Sequence, residues 1–198
     1  LRDPPGYDAP TLYAVDDPNA VAVTAAYPNR TYYRYEFRGT WVPTDGVPVR
    51  PRLERVRVTT GATVTETLRM RIPRTAESVS ARVTAGGAHG YYALNATPGT
   101  RRLTLAVNDT RVRVGGDAAP ALAGDSRALP TNASGDVAVT VYVQTAPSVG
   151  FSYRSRLPIG LRNETRAALT PALAVCTDPR TCGGGAAAVP GLVPPQYA

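Results

Sequence analysis

The chain of 198 residues contains no lysine; all 22 of its basic residues are arginine. It has one histidine (His89), one tryptophan, two cysteines and only two glutamines, Gln144 and Gln196. Each scarcity excludes something. Two cysteines and a histidine without a ligand-spaced neighbour do not furnish a metal site. Scattered acids around a lone histidine give no nucleophile–base pair and no acid–base constellation. The sequence therefore reads as a non-enzymatic protein with no cofactor and no metal. Three Gly-Asp pairs, at Asp117, Asp125 and Asp136, raise the idea of calcium, but their spacing matches no calcium loop and turn formation explains them. No run of 18 or more apolar residues exists, so no transmembrane helix is expected. The most apolar stretch, Ala167 to Val175, is short and contains Pro171. Helical periodicity is nearly absent too. Its best candidate runs from Asn163, as N-cap, to Val175, and Pro171 would break it.

The missing lysine fits a high-GC genome, and also a preference for the guanidinium group, which grips carboxylates, sulfates and phosphates bidentately. The net charge of +7 and a pI near 9.8 permit attraction to nucleic acid, acidic glycans or anionic lipid surfaces. Position has to discriminate among these.

The chain has six asparagines, and five of them, Asn29, Asn95, Asn108, Asn132 and Asn163, stand in Asn-x-Ser/Thr with x not proline. Serine and threonine make up about 15% of the chain, so chance predicts about one such site among six asparagines. The concentration points to N-linked glycans and hence to an extracellular, cell-surface or virion-surface location. That location argues against nucleic acid as partner. The first residue is Leu1 rather than Met, which reads as a mature form whose leader has gone. Cys176 and Cys182 enclose "TDPRT", whose Asp-Pro favours a turn, so a small disulfide loop in an oxidising compartment is expected.

Strand patterns dominate the middle of the chain. In "TVTETLRMRIP", Val64, Leu68, Met70 and Ile72 share one face, and Thr63, Thr65, Thr67, Arg69 and Arg71 the other. "SVSARVTAG" turns Val79, Ala81 and Val83 inward, and "DVAVTVYVQT" does the same with Val137, Val139, Val141 and Val143. "TYYRYEFRGTWV" sets Tyr33, Tyr35, Phe37 and Trp41 against Tyr32, Arg34, Glu36 and Arg38. Further strands are expected around Val21–Tyr27, Leu53–Thr60, Gly90–Asn95, Leu103–Val107, Arg111–Val114 and Gly150–Leu157. Period-two alternation with one wet face is the pattern of antiparallel sheets. The fold class expected is all-β, an antiparallel β-sandwich of jelly-roll type with extended tails. "VNDTRVRVGG" reads as a hairpin that turns at Asn108-Asp109, with Arg111 and Arg113 facing solvent.

The Arg-x-Arg unit recurs at Arg55/Arg57, Arg69/Arg71, Arg111/Arg113 and Arg154/Arg156. If these strands neighbour one another, their arginines form a ladder fit for an acidic glycan or a docking partner. Arginine also serves as an outward polar residue that guards strand edges. Three regions follow: an extended segment over residues 1–19, a sandwich over 20–161, and a C-terminal segment over 162–198 with the cysteine loop and a Gly/Pro-rich tail. The strand-like Thr11–Val15, bracketed by Pro10 and Pro18, is a candidate donor strand for another copy. Two functions remain: a structural subunit of an extracellular filament or surface layer built by strand exchange between copies, or a recognition ectodomain that binds acidic glycans or a receptor through its arginines.

Overall fold

A computed structural model describes residues 20–38, 50–120, 127–147, 149–176 and 196–197. One short helix, α1 (Ala20–Ala26), precedes the strands β1 (Tyr32–Arg38), β2 (Arg50–Val56), β3 (Val58–Thr60), β4 (Val64–Ile72) and β5 (Ser78–Ala85). Next come β6 (Ala88–Leu94), β7 (Gly99–Val107), β8 (Arg111–Gly116), β9 (Ala119–Pro120) and β10 (Ala128–Pro130). The chain continues through β11 (Gly135–Ala146), β12 (Val149–Arg162), β13 (Thr165–Leu169), β14 (Ala172–Cys176) and β15 (Gln196–Tyr197).

The described strand pairings are antiparallel, as the alternation requires. One sheet has five strands in the order β10-β8-β7-β4-β15. The other has the order β3-β13-β12-β11-β5-β6-β9, with β14 pairing beside β12. A separate ribbon joins β1 to β2. The inward faces of the two large sheets bury one continuous core. Val64, Leu68, Met70 and Ile72 of β4 meet Val79, Ala81 and Val83 of β5 and Val137, Val139, Val141 and Val143 of β11. Burying a valine of this kind contributes about 1.5–3 kcal/mol. The protein is thus an all-β sandwich. Tyr153, wholly buried on β12, ties the sheets together by donating its hydroxyl to the Arg71 carbonyl of β4 at 2.9 Å. Burial pushes its pKa up to about 12.

Two local expectations are corrected, at α1 and at the β7–β8 tip. The stretch from Val21 is a helix, not a strand. Ala20, Ala22, Ala25 and Ala26 are strong helix formers, and the buried pair is Val21 and Thr24, three apart on one helical face. α1 lies on the outer side of β12 and β13, where Gly160 leaves room: a Cβ there would stand 2.8 Å from Val21 Cβ. The segment from Asn163, where Pro171 was expected to break any helix, forms β13 and β14. Asn163 (φ 48°) and Glu164 (φ 61°) form a two-residue turn with positive φ throughout, and Arg162 pairs Thr165 across it. Such a turn matches the twist of a hairpin, so β13 folds back on β12. The eight-stranded sheet accordingly runs past residue 161 to Cys176. At the β7–β8 tip the turn residues are Asp109 and Thr110, one place later than read. The Asn108 amide donates to the Arg111 carbonyl at 3.0 Å, and neither Asn108 nor Asp109 has positive φ.

The expected N-terminal donor segment lies outside the described residues, as does the Gly/Pro-rich stretch from residue 177 to 195. Gln196 and Tyr197 pair with Arg69 and Leu68 of β4 in the same chain.

Candidate functional site

The five sequon asparagines all fall in connections. Asn29 lies between α1 and β1, Asn95 after β6, Asn108 between β7 and β8, Asn132 between β10 and β11, and Asn163 between β12 and β13. Four are exposed, and Asn108 is half-buried. Asn108 turns its Oδ1 inward, accepting from the amides of Thr110 at 3.1 Å and Arg111 at 2.9 Å. Asn95 makes the same kind of turn, its Oδ1 accepting from the Thr97 amide at 2.8 Å and the Thr97 hydroxyl at 2.6 Å. In both, the carboxamide oxygen is engaged by the turn. Nδ2, the atom that would carry a glycan, is left out of these bonds.

Four of the five gather at one end of the sandwich, and Arg166 organises that end. Its guanidinium is buried. Nη1 donates to the carbonyls of Asn132 at 3.3 Å and Ala133 at 2.7 Å, and Nη2 lies 3.3 Å from Asp109 Oδ1. The Thr131 amide donates to the Thr110 carbonyl at 3.1 Å. The tips bearing Asn108 and Asn132 therefore touch, and Arg166 itself is the second residue of β13, just past the Asn163 turn. Arg162 at that turn donates to the Pro28 carbonyl at 3.3 Å, which brings Asn29 to the same end. Asn95 is at the other end: Leu94 before it pairs Val79, far along β5 from the Ala85–Ala88 turn. There Arg101 holds the loop, donating to the carbonyls of Asn95 at 3.0 Å and Thr97 at 2.8 Å.

The four Arg-x-Arg pairs do not form one ladder. Arg69 and Arg71 on β4 and Arg111 and Arg113 on β8 project exposed from the outer face of the five-stranded sheet. Arg154 and Arg156 stand half-buried on β12 in the other sheet, where Arg156 Nε meets Asp136 Oδ2 at 2.5 Å. Arg55 belongs to the ribbon, and Arg57 sits between β2 and β3. Sequence reading missed Arg102, which is exposed on β7 directly opposite Arg69. Its signal was the alternation Thr100-Arg102-Thr104-Ala106, hidden by the doublet with Arg101. It also missed Arg166, because a buried arginine looks like any outward one until its partners are placed.

On β1 it is the aromatic set that faces out. Tyr33 and Tyr35 are 58% and 63% exposed, and Leu53 across the ribbon is 66% exposed. Tyr35 pairs Leu53, and Tyr33 pairs Arg55. The polar residue Arg34 is the one that turns in. It donates from Nη2 to the Thr170 carbonyl at 2.9 Å and lies 4.0 Å from Glu54. Tyr32 donates its hydroxyl to the Tyr27 carbonyl. The ribbon is pinned on its polar side and leaves its apolar side to solvent.

Among the described residues no three His, Cys, Asp or Glu side chains gather, and no helix is long and apolar enough to cross a membrane. Asp117 accepts from the Arg102 amide at 2.8 Å, Asp136 pairs Arg156, and Asp125 lies outside the described residues. Cys176 is buried at the end of β14; Cys182, its expected partner, lies outside the described residues. Glu66 faces inward on β4 between Val64 and Leu68, opposite the buried Leu105. Burial raises its pKa, and the Arg57 charge lowers it less.

A family model described as a domain of unknown function (DUF7846) matches residues 1–157. No curated protein and no solved structure matches the chain.

Proposed function

The chain belongs to the DUF7846 family, and we propose that it is an exported, N-glycosylated, non-enzymatic subunit of an extracellular assembly, joined to its neighbours by strand exchange. Export is supported by five sequons that all fall in turns, where a glycan displaces no packing. The observation that carries the assembly reading is the ribbon. Tyr33, Tyr35 and Leu53 make an exposed apolar face, and among the described residues β1 and β2 pair only with each other. A two-stranded ribbon with open edges invites a third strand.

Its occupant is residues 1–19 of a second copy. That segment holds Asp3, Asp8, Asp16 and Asp17 against Arg2, whereas β1 and β2 together hold five arginines against two glutamates. The strand-like Thr11–Val15 supplies the apolar contact and the backbone pairing. Contacts of this head-to-tail kind extend into open filaments when the rotation does not close.

The test is photo-crosslinking in the full chain. Tyr13 is replaced by benzoylphenylalanine, and light- and heavy-isotope chains are mixed before irradiation. Cross-links joining position 13 of one isotope to residues 32–38 or 50–56 of the other are expected. Cross-links confined to single chains, or falling elsewhere, would contradict the proposal. A second reading, recognition of acidic glycans, is favoured by the outer face of the five-stranded sheet.

A further inference from the structure

The outer face of the five-stranded sheet is built mainly of arginine and threonine. Its outward positions on β4, β7 and β8 are Thr65, Thr67, Arg69, Arg71, Thr100, Arg102, Thr104, Ala106, Arg111, Arg113 and Gly115, by the register of the strands. Five arginines stand there with threonines between them and no aspartate or glutamate. The sheet's one acidic strand residue, Glu66, points into the core. None of the five arginines forms an ion pair with a described carboxylate, while Arg34, Arg156 and Arg166 each do.

The arrangement works against the sheet's own stability. Arg69 and Arg102 are directly opposed across β4 and β7, and like charges so placed repel. Arg71 follows Arg69 at about 7 Å along the strand, twice the rise per residue. Ala106, opposite Arg113, lies four residues from Arg102, which puts Arg113 roughly 13 Å away along the sheet and Arg111 about 7 Å beyond it. The threonine hydroxyls fill the interval; those of Thr67 and Thr104 lie 3.3 Å apart. Two guanidinium clusters on one sheet face, separated by hydroxyl donors, match a chain with repeating anionic groups better than a single small anion. Each guanidinium grips a sulfate or carboxylate in a fork.

We propose that this face, through Arg69, Arg71, Arg102, Arg111 and Arg113, binds an acidic polysaccharide. The ligand class rests on the exported reading above, since an extracellular protein meets anionic polymers chiefly as glycans. Arg55 and Arg57, and Arg154 and Arg156, lie off this face and take no part.

The test measures binding of the full chain to immobilised heparin and to hyaluronan across a salt series, with a single-stranded oligonucleotide of equal charge as comparison. The double variant Arg69→Gln/Arg102→Gln is compared with Arg74→Gln/Arg82→Gln, which removes the same net charge from exposed positions elsewhere. The first pair should weaken heparin binding about tenfold or more at moderate salt and flatten its salt dependence, and the second should change it less than about twofold. Arg111→Gln/Arg113→Gln should act like the first pair, and serves if that pair folds poorly. Equal loss in face and control variants would reduce the effect to net charge and overturn the site. No loss in either would overturn it too. Oligonucleotide binding as tight and as variant-sensitive as heparin binding would overturn the choice of polysaccharide. Hyaluronan binding as tight as heparin binding, despite hyaluronan's lower charge density, assigns carboxylate as the anion. The exported reading stands or falls separately, on glycan occupancy of the sequons.

Discussion

Two groups of arginines use one residue type in opposite ways. At the margins of the eight-stranded sheet two of them are answered: the partly exposed Arg156 by Asp136, and the buried Arg166 by two carbonyls and Asp109. There the guanidinium is a structural clasp: both Nη atoms of Arg166 reach acceptors, while its buried Nε has none. On the outer face of the five-stranded sheet, Arg69, Arg71, Arg102, Arg111 and Arg113 are exposed and set beside one another without a described carboxylate in reach, whereas Arg101 on the inward side of β7 holds the Asn95 loop. The first arrangement holds loops in place. The second sets like charges side by side, with no described carboxylate to neutralise them. An arginine count, or an Arg-x-Arg count, does not distinguish the two. The location of the carboxylates does.

That contrast can be broken at its strongest point by Arg166→Met. The substitution keeps the buried length but removes the donors to Asn132 and Ala133 and the partner of Asp109, so a loss of about 2–4 kcal/mol is expected in urea unfolding. A loss under about 0.5 kcal/mol would deny Arg166 the role of clasp. Next in size is Gly160→Ala. Its new methyl would meet Val21 at 2.8 Å, and a destabilisation of about 1–3 kcal/mol should follow as α1 shifts on the sheet. Unchanged stability would mean that α1 yields freely.

The opposite sign is expected on the five-stranded sheet. Arg102→Thr removes one of two opposed charges and should stabilise by about 0.2–1 kcal/mol at low salt, with the gain fading as salt screens the repulsion. A destabilised variant would show that the pair is already neutralised within the chain. The smallest effect concerns Glu66. Its pKa is raised in the folded state by burial, so its contribution to stability is fullest below the ordinary carboxylate value and is lost as pH rises through the folded pKa. Glu66→Gln should remove that slope and leave the protein slightly more stable at neutral pH. An unchanged pH profile between pH 4 and 7 would contradict it.

The strands of the core were legible because their alternation is strict. Val79-Ala81-Val83 and Val137-Val139-Val141-Val143 each leave one face wet, and only a sheet accommodates that. Three features were not, each for a physical reason. Val21-Ala22-Val23-Thr24 alternates like a strand, yet four alanines and a glycine on the opposing β12 let a helix pack there instead. Asn163 carries the residue type of a helix cap, but also tolerates positive φ, and pairing with β12 decided for the turn. Tyr33 and Tyr35 alternate with polar residues, which leaves open the set that turns in. The buried position went to Arg34, whose guanidinium finds the Thr170 carbonyl. Of the candidate site, the sequons were read directly and Arg69, Arg71, Arg111 and Arg113 were named. Their division from Arg154 and Arg156 depends on strand order, which alternation does not encode.

The cysteine pair offers a local check on the compartment: without reductant, alkylation should label neither Cys176 nor Cys182. The most direct measurement is site-resolved glycan occupancy of the native protein, mapped on peptides cut at arginine, the only basic residue available. Occupied Asn29, Asn132 and Asn163, with Asn108 modified beside them, is the result expected of an exported chain whose turns cluster at one glycan-bearing end. Bare asparagines at all five positions would contradict it, and with it the extracellular setting on which both the assembly and the polysaccharide face depend.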